Sequence, residues 1–192
     1  NKGELDTAIE NFKEAINIKP DYAEAFNNMG IALMKKGYFS SAKNCYKKAI
    51  IIKPNYAEAY NNLGNCQNSE NDVEAAINSY KTSLQIKPDN SEAYNNMGII
   101  LKNKKMLDEA INCFKKAIKI NPNYAEAYSN MGGCMNDKSD FEGAIKSYKY
   151  SLRINPNYFE AYNSLGAVYH NKGNLNEAIN CFKKSININI KY

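Results

Sequence analysis

Side chains able to do covalent or metal chemistry are sparse in this sequence. Its single histidine, His170, has no serine or cysteine placed to share a nucleophile–base role with it. The five cysteines, Cys45, Cys66, Cys113, Cys134 and Cys181, are an odd number. None forms a C-x-x-C pair, and no Cys/His cluster has zinc-ligand spacing. They read as free thiols in a reducing compartment, so a cytoplasmic location is expected. No Gly-rich phosphate loop occurs. The expectation is a protein that is not an enzyme, with no cofactor and no metal. What the chain does repeat is an amide chemistry: Asn27-Asn28, Asn61-Asn62 and Asn95-Asn96, followed by Ser129-Asn130 and Asn163-Ser164. A primary amide both donates and accepts hydrogen bonds, which is the chemistry of recognition.

These pairs recur because the chain does. Pro20, Pro54, Pro88, Pro122 and Pro156 are its only prolines, each 34 residues after the last. Each leads into a similar stretch, such as NYAEAYNNLG after Pro54 and NYAEAYSNMG after Pro122. With the proline at position 32 of a unit, full repeats span 23–56, 57–90, 91–124, 125–158 and 159–192, and 1–22 is a partial repeat. A fixed period of this size implies a stacked array, so residues 1–192 are expected to form a single solenoid. Cys45, Cys113 and Cys181 add a longer period of 68 residues, so neighbouring repeats alternate between two types.

Within a repeat, apolar and small residues keep helical spacing, as in Tyr60, Leu63 and Gly64, then Val73, Ala76, Ile77, Tyr80 and Leu84. Each repeat is therefore expected to be a helical hairpin. Proline stops the second helix. Asp21, Asn55, Asp89, Asn123 and Asn157 follow as expected N-caps, with Glu24, Glu58, Glu92, Glu126 and Glu160 at capping-box spacing. Gly37, Gly173 and Asn71 suit a left-handed residue in the mid-repeat turn; Lys105 and Ser139 stand there in two repeats, where the turn is expected to differ. Gly30, Gly64, Gly98, Gly132 and Gly166 fall at one position of the first helix. Glycine costs about 1 kcal/mol inside a helix, so five in register require a close helix approach.

These residues resemble the tetratricopeptide repeat, W-x-x-L-G-x-x-Y…A-x-x-x-F…P. Tyr60, Leu63, Gly64, Ala76, Tyr80 and Pro88 occupy its places, with Tyr or Phe for Trp and Ile190 where the last proline belongs. The resemblance covers the whole chain. It implies an all-α, right-handed solenoid of antiparallel helix pairs whose first helices line a concave groove. The peptide-binding candidates on that face are Asn27, Asn28, Asn61, Asn62, Asn65, Asn95, Asn96, Asn130 and Asn163. Two readings of them stand. In one, the amides bridge neighbouring repeats. In the other they form a ladder: helices spaced ~8–10 Å would meet an extended peptide, rising ~3.3 Å per residue, at about every third residue. Asn28, Asn62, Asn96 and Asn130 are similar to the asparagine ladder of the repeat domain of O-linked N-acetylglucosamine transferases.

Two functions follow. One is a non-catalytic scaffold that binds an extended or helical peptide segment of a protein partner. The alternative is the substrate-recognition arm of a larger enzyme such as a glycosyltransferase. Position 5 never carries Lys, which argues against the carboxylate clamp of chaperone-binding relatives, although Lys35 and Lys102 leave room for one. The net charge of +5 is dispersed, so neither nucleic acid nor a membrane is an expected partner. The lysines from Lys13 to Lys183 at one position of the second helices read as a solvated face. The apolar end Ser185-Ile186-Asn187-Ile188-Asn189-Ile190 suggests a piece of a longer array, capable of end-to-end self-association.

Overall fold

The computed structural model describes residues 2–190; Asn1, Lys191 and Tyr192, the outer ends of the first and last repeats, lie outside the described residues. Among the described residues the chain is all-α: α1 (Lys2–Ile18), α2 (Ala23–Lys35), α3 (Phe39–Ile52), α4 (Ala57–Ser69), α5 (Val73–Ile86), α6 (Ser91–Asn103), α7 (Leu107–Ile120), α8 (Ala125–Asp137), α9 (Phe141–Ile154), α10 (Phe159–Asn171) and α11 (Leu175–Asn189). They fall into two compact units, residues 1–93 and 94–192. In the first, α2 pairs with α3 and α4 with α5, while α3 also packs on α4 and α2 touches α4. In the second, α8 pairs with α9 and α10 with α11, α9 packs on α10, and α8 touches α10. α2 and α8 thus each meet both their own second helix and the next first helix, as in a helical-repeat solenoid.

The prolines set the helix ends. Lys53, Lys87, Asn121 and Asn155, each just before a proline, are extended, with φ between −123° and −132°. The proline ring bars the helical conformation from the residue before it. Ile190 replaces proline after α11, and there the helical backbone continues to φ −73°, ψ −22°.

Two expectations about turns are corrected. The N-cap position is held by Tyr22, Tyr56, Tyr124 and Tyr158, one residue after the expected Asp or Asn, and none makes a side-chain cap. Burial decides this. Tyr56 packs among Ala23, Ala49 and Ala59, which fixes the chain entering α4 and leaves Asn55 outside the helix. Asn90, standing where the other repeats carry tyrosine, does accept from a backbone amide as a cap should, that of Ala93 at 3.2 Å. Nor does Glu24 close a capping box. It pairs with Lys53 at 2.8 Å, and that ammonium holds its carboxyl below the ordinary value. The glutamates remain in the first helical turn, where the helix dipole favours them.

The second correction concerns the mid-repeat turns. Lys105 and Ser139 adopt the left-handed conformation at φ 63° and 62°, the same as Asn71 at 63° and close to Gly37 at 80°. A fixed turn length between two packed helices imposes the conformation, whatever residue stands there.

The glycines carry the helix contact. A Cβ added at Gly64 would lie 2.6 Å from the Tyr80 ring, and one at Gly30 would lie 2.6 Å from Tyr46. Gly98 and Phe114, Gly132 and Tyr148, and Gly166 and Phe182 repeat the pairing. The aromatic rings continue into the core: Tyr46 joins Ala42, Leu63 and Cys66, while Tyr148 joins Ala144, Ile145, Leu165 and Val168.

Candidate functional site

The asparagine pairs lie on the first helices, and the structure splits them. Adjacent residues of a helix point about 100° apart, so one of each pair can face the neighbouring repeat while the other turns outward. Asn27 and Asn61 are 3% exposed and Asn95 is 2% exposed. Asn27 Oδ1 accepts from Asn62 Nδ2 of the next repeat at 2.9 Å, and Asn95 Oδ1 accepts from Asn130 Nδ2 at 3.1 Å. The Tyr56 hydroxyl is also hydrogen-bonded to Asn27, and Tyr158 meets Ser129 at the matching position. Asn27, Asn61 and Asn95, expected among the ligand-facing residues, are buried; Asn27 and Asn95 spend their Oδ1 on the next repeat, whereas the buried Asn61 Oδ1 has no partner among the described residues.

The second members of the pairs differ. Asn28 is exposed, and Asn62, Asn96 and Asn130 are half-buried. Asn62 and Asn130 each spend one amide hydrogen on the preceding repeat, and no bond is made by their Oδ1 among the described residues. Asn163, exposed on α10, lines a depression with Phe159, Glu160, Ser164 and Ile186. Asn65 is half-buried, and its Oδ1 accepts from the Tyr80 hydroxyl at 2.7 Å, which ties it to its own repeat.

Two further structural roles were not anticipated. Ser83 Oγ and Ser185 Oγ donate to the carbonyls of Ala57 and Phe159, both at 2.8 Å, joining the second helix to the start of the first. Their placement among alanines at a small-residue position hid this role. Lys36 pairs with Asp6, Lys138 with Asp108 and Lys172 with Glu142, each linking one repeat to the preceding one. The 30-residue spacing of these pairs was readable once the repeat frame was set.

The cysteines are all free and buried. Burial pushes the Cys45 and Cys134 thiols up to about 11. Cys66 Sγ donates to the Phe39 carbonyl at 3.2 Å. Thiols so placed act as small core groups and are poor nucleophiles. His170 is exposed near the end of α10.

Antiparallel helix pairs stacked at a 34-residue period, with polar amides on the first helices, define a helical-repeat scaffold for protein interactions. The comparisons agree. The TPR repeat family matches residues 1–37, 33–67, 68–105 and 136–173. Tetratricopeptide repeat families match 91–124 and 159–192, and 113–146. The chain belongs to the tetratricopeptide repeat family. Among solved structures, MamA is 30% identical, with a TM-score of 0.74 over 85% of this chain and 95% of that one. YrrB is 22% identical, with a TM-score of 0.70 over 92% of this chain and 91% of that one. BtubC from P. vanneervenii is 18% identical, with a TM-score of 0.81 over 99% of this chain and 90% of that one. The last two share the fold. No curated protein matches the chain. No helix among the described residues is long and apolar enough to cross a membrane.

Proposed function

We propose that the chain is a non-catalytic scaffold that binds an extended peptide segment of a protein partner along its first helices. In this reading the outward amides of each unit, Asn28 and Asn62 in the first and Asn96, Asn130 and Asn163 in the second, contact the peptide backbone. The observation that carries it is the geometry of Asn62 and Asn130. Each is fixed from behind by a hydrogen bond to the preceding repeat while its carbonyl oxygen remains open for a peptide N–H. An amide held in advance loses less conformational entropy on binding. YrrB, which shares the fold, is described as a TPR protein with an unusual peptide-binding site, so the architecture can host one.

The test starts from a peptide selected on the intact protein from a displayed library. Asn28→Ala removes an exposed amide that joins no neighbouring repeat, and it should weaken the selected peptide severalfold, since one hydrogen bond contributes ~1 kcal/mol. The melting temperature should not move. Asn27→Ala removes a buried inter-repeat acceptor and should lower stability instead. If Asn28→Ala binds like the parent while Asn27→Ala alone disturbs binding, the outward amides are not the contact.

A further inference from the structure

One repeat departs from its siblings on a single stripe of its second helix. Lys146 stands where α3, α5, α7 and α11 carry Asn44, Asn78, Asn112 and Asn180. Tyr150 replaces Lys48, Thr82, Lys116 and Lys184. Arg153, the only arginine of the chain, replaces Ile51, Gln85, Lys119 and Asn187. Residues at i, i+4 and i+7 share one helix face, so the three changes act on one surface. The repeat frame asks for none of them.

The structure shows what the changes build. In its own repeat, Lys116 lies over the Tyr94 ring at 5.3 Å, and Lys184 lies over Tyr162 at 5.5 Å. In α9 the corresponding slot holds Tyr150, stacked on Tyr128 with centroids 5.5 Å apart and planes inclined by 18°. The Arg153 guanidinium then lies over Tyr150 at 4.5 Å. Lys149, from the same face, lies over Tyr169 at 5.9 Å. The result is an open depression of ≈ 510 Å³ lined by Glu142, Ile145, Lys146, Lys149, Tyr150 and Arg153. Glu142 is paired with Lys172 of the next repeat. Stacking leaves the donor fork of an arginine free for carboxylates and fixes its direction in advance.

We propose that this face of α9 is a second docking surface, for an acidic peptide segment of a partner protein. The three cations call for anionic side chains. Their span on the helix, about 10 Å from Lys146 to Arg153 at ~1.5 Å per residue, matches three to four residues of extended peptide. Nucleic acid fits less well, because three cations within about 10 Å meet few of its phosphates.

The test uses a labelled eight-residue peptide of Asp and Glu with one central Tyr, against a control with Asn and Gln in place of the acids. The protein variant is Lys146→Asn, Tyr150→Lys, Arg153→Gln, which restores residues already used at these positions in sibling repeats and so should keep the fold. The parent should bind the acidic peptide and not the control, more weakly as salt rises. The triple variant should bind roughly tenfold more weakly, from the loss of exposed charge contacts. Tyr150→Lys alone should also lose affinity although it adds a positive charge. Undiminished binding by the triple variant would overturn the proposal, as would no binding by the parent. A single-stranded oligonucleotide that displaces the peptide at lower concentration would overturn the choice of partner. So would self-association of the parent that the triple variant abolishes, since the partial repeat carries Glu10 and Glu14 on the matching face of α1.

Discussion

Replacing Gly64 with alanine tests how the helix pairs are held. The new methyl carbon would sit 2.6 Å from Tyr80 Cε1, well inside van der Waals contact. The ring cannot swing aside cheaply: Tyr80 is 1% exposed, and its hydroxyl donates to Asn65 Oδ1 at 2.7 Å. Forcing a methyl group into a packed core costs about 1–3 kcal/mol. Alanine recovers about 1 kcal/mol of helix propensity. Gly64→Ala should therefore lose roughly 1 kcal/mol net. Gly132 provides the internal control. Its added Cβ would lie 3.1 Å from Tyr148, so a shift of a few tenths of an ångström suffices, and the propensity gain should nearly cancel the cost. Urea denaturation followed by far-ultraviolet circular dichroism should show a lower midpoint for Gly64→Ala and little change for Gly132→Ala. A Gly64→Ala protein as stable as the parent, or less affected than Gly132→Ala, would refute the argument that these glycines exist to seat the aromatic rings.

Other outcomes follow from particular residues. Lys105 is held at φ 63°, a conformation that costs a non-glycine residue roughly 1–2 kcal/mol, so Lys105→Gly should raise the denaturation midpoint; an unchanged or lowered midpoint would count against strain in that turn. Buried thiols and phenols make the fold sensitive to alkali. Cys45 and Cys134 are pushed up to about 11 and Tyr148 to about 12, whereas an unfolded thiol ionises near ~8.5. Between those values the unfolded chain binds fewer protons than the native one, so stability should be level from about pH 6 to 8 and fall from about pH 9 to 11. Denaturation midpoints measured across that range check the sign. On α11, Leu175, Ile179 and Ile186 are 57%, 50% and 56% exposed, whereas Ile145, the α9 counterpart of Ile179, is only 7% exposed and packs against α10. The 192-residue chain should therefore self-associate reversibly, and Ile179→Lys should abolish this in sedimentation equilibrium; a parent chain that stays monomeric at high concentration would remove the role assigned to that stripe.

Much of this architecture was legible because a 34-residue period repeats its own evidence. One glycine inside a helix says little, but five in register with five aromatic residues specify a contact. Details set by competition between neighbours were harder to read. Asp21 and Asn55 are good caps in isolation, yet the adjacent tyrosine fixes the turn by burying its ring and takes the position. Lys105 and Ser139 resist a left-handed backbone, yet the packed helices on either side impose it. The asparagine pairs hid the most, since residue type is the same at both places. A signal was present: Ala23, Asn27 and Gly30 lie at i, i+4 and i+7, so the first member of the pair shares a stripe with small packing residues.

The division of labour between the two asparagines is measured most directly from their side-chain amide resonances in a 1H–15N spectrum, titrated with a peptide selected on the intact protein. The amides of Asn28, Asn62, Asn96 and Asn130 should shift together with saturating peptide, while those of Asn27, Asn61 and Asn95 stay in place and exchange slowly with solvent. Shifts confined to other residues, or outward amides that never move at saturation, would contradict the account.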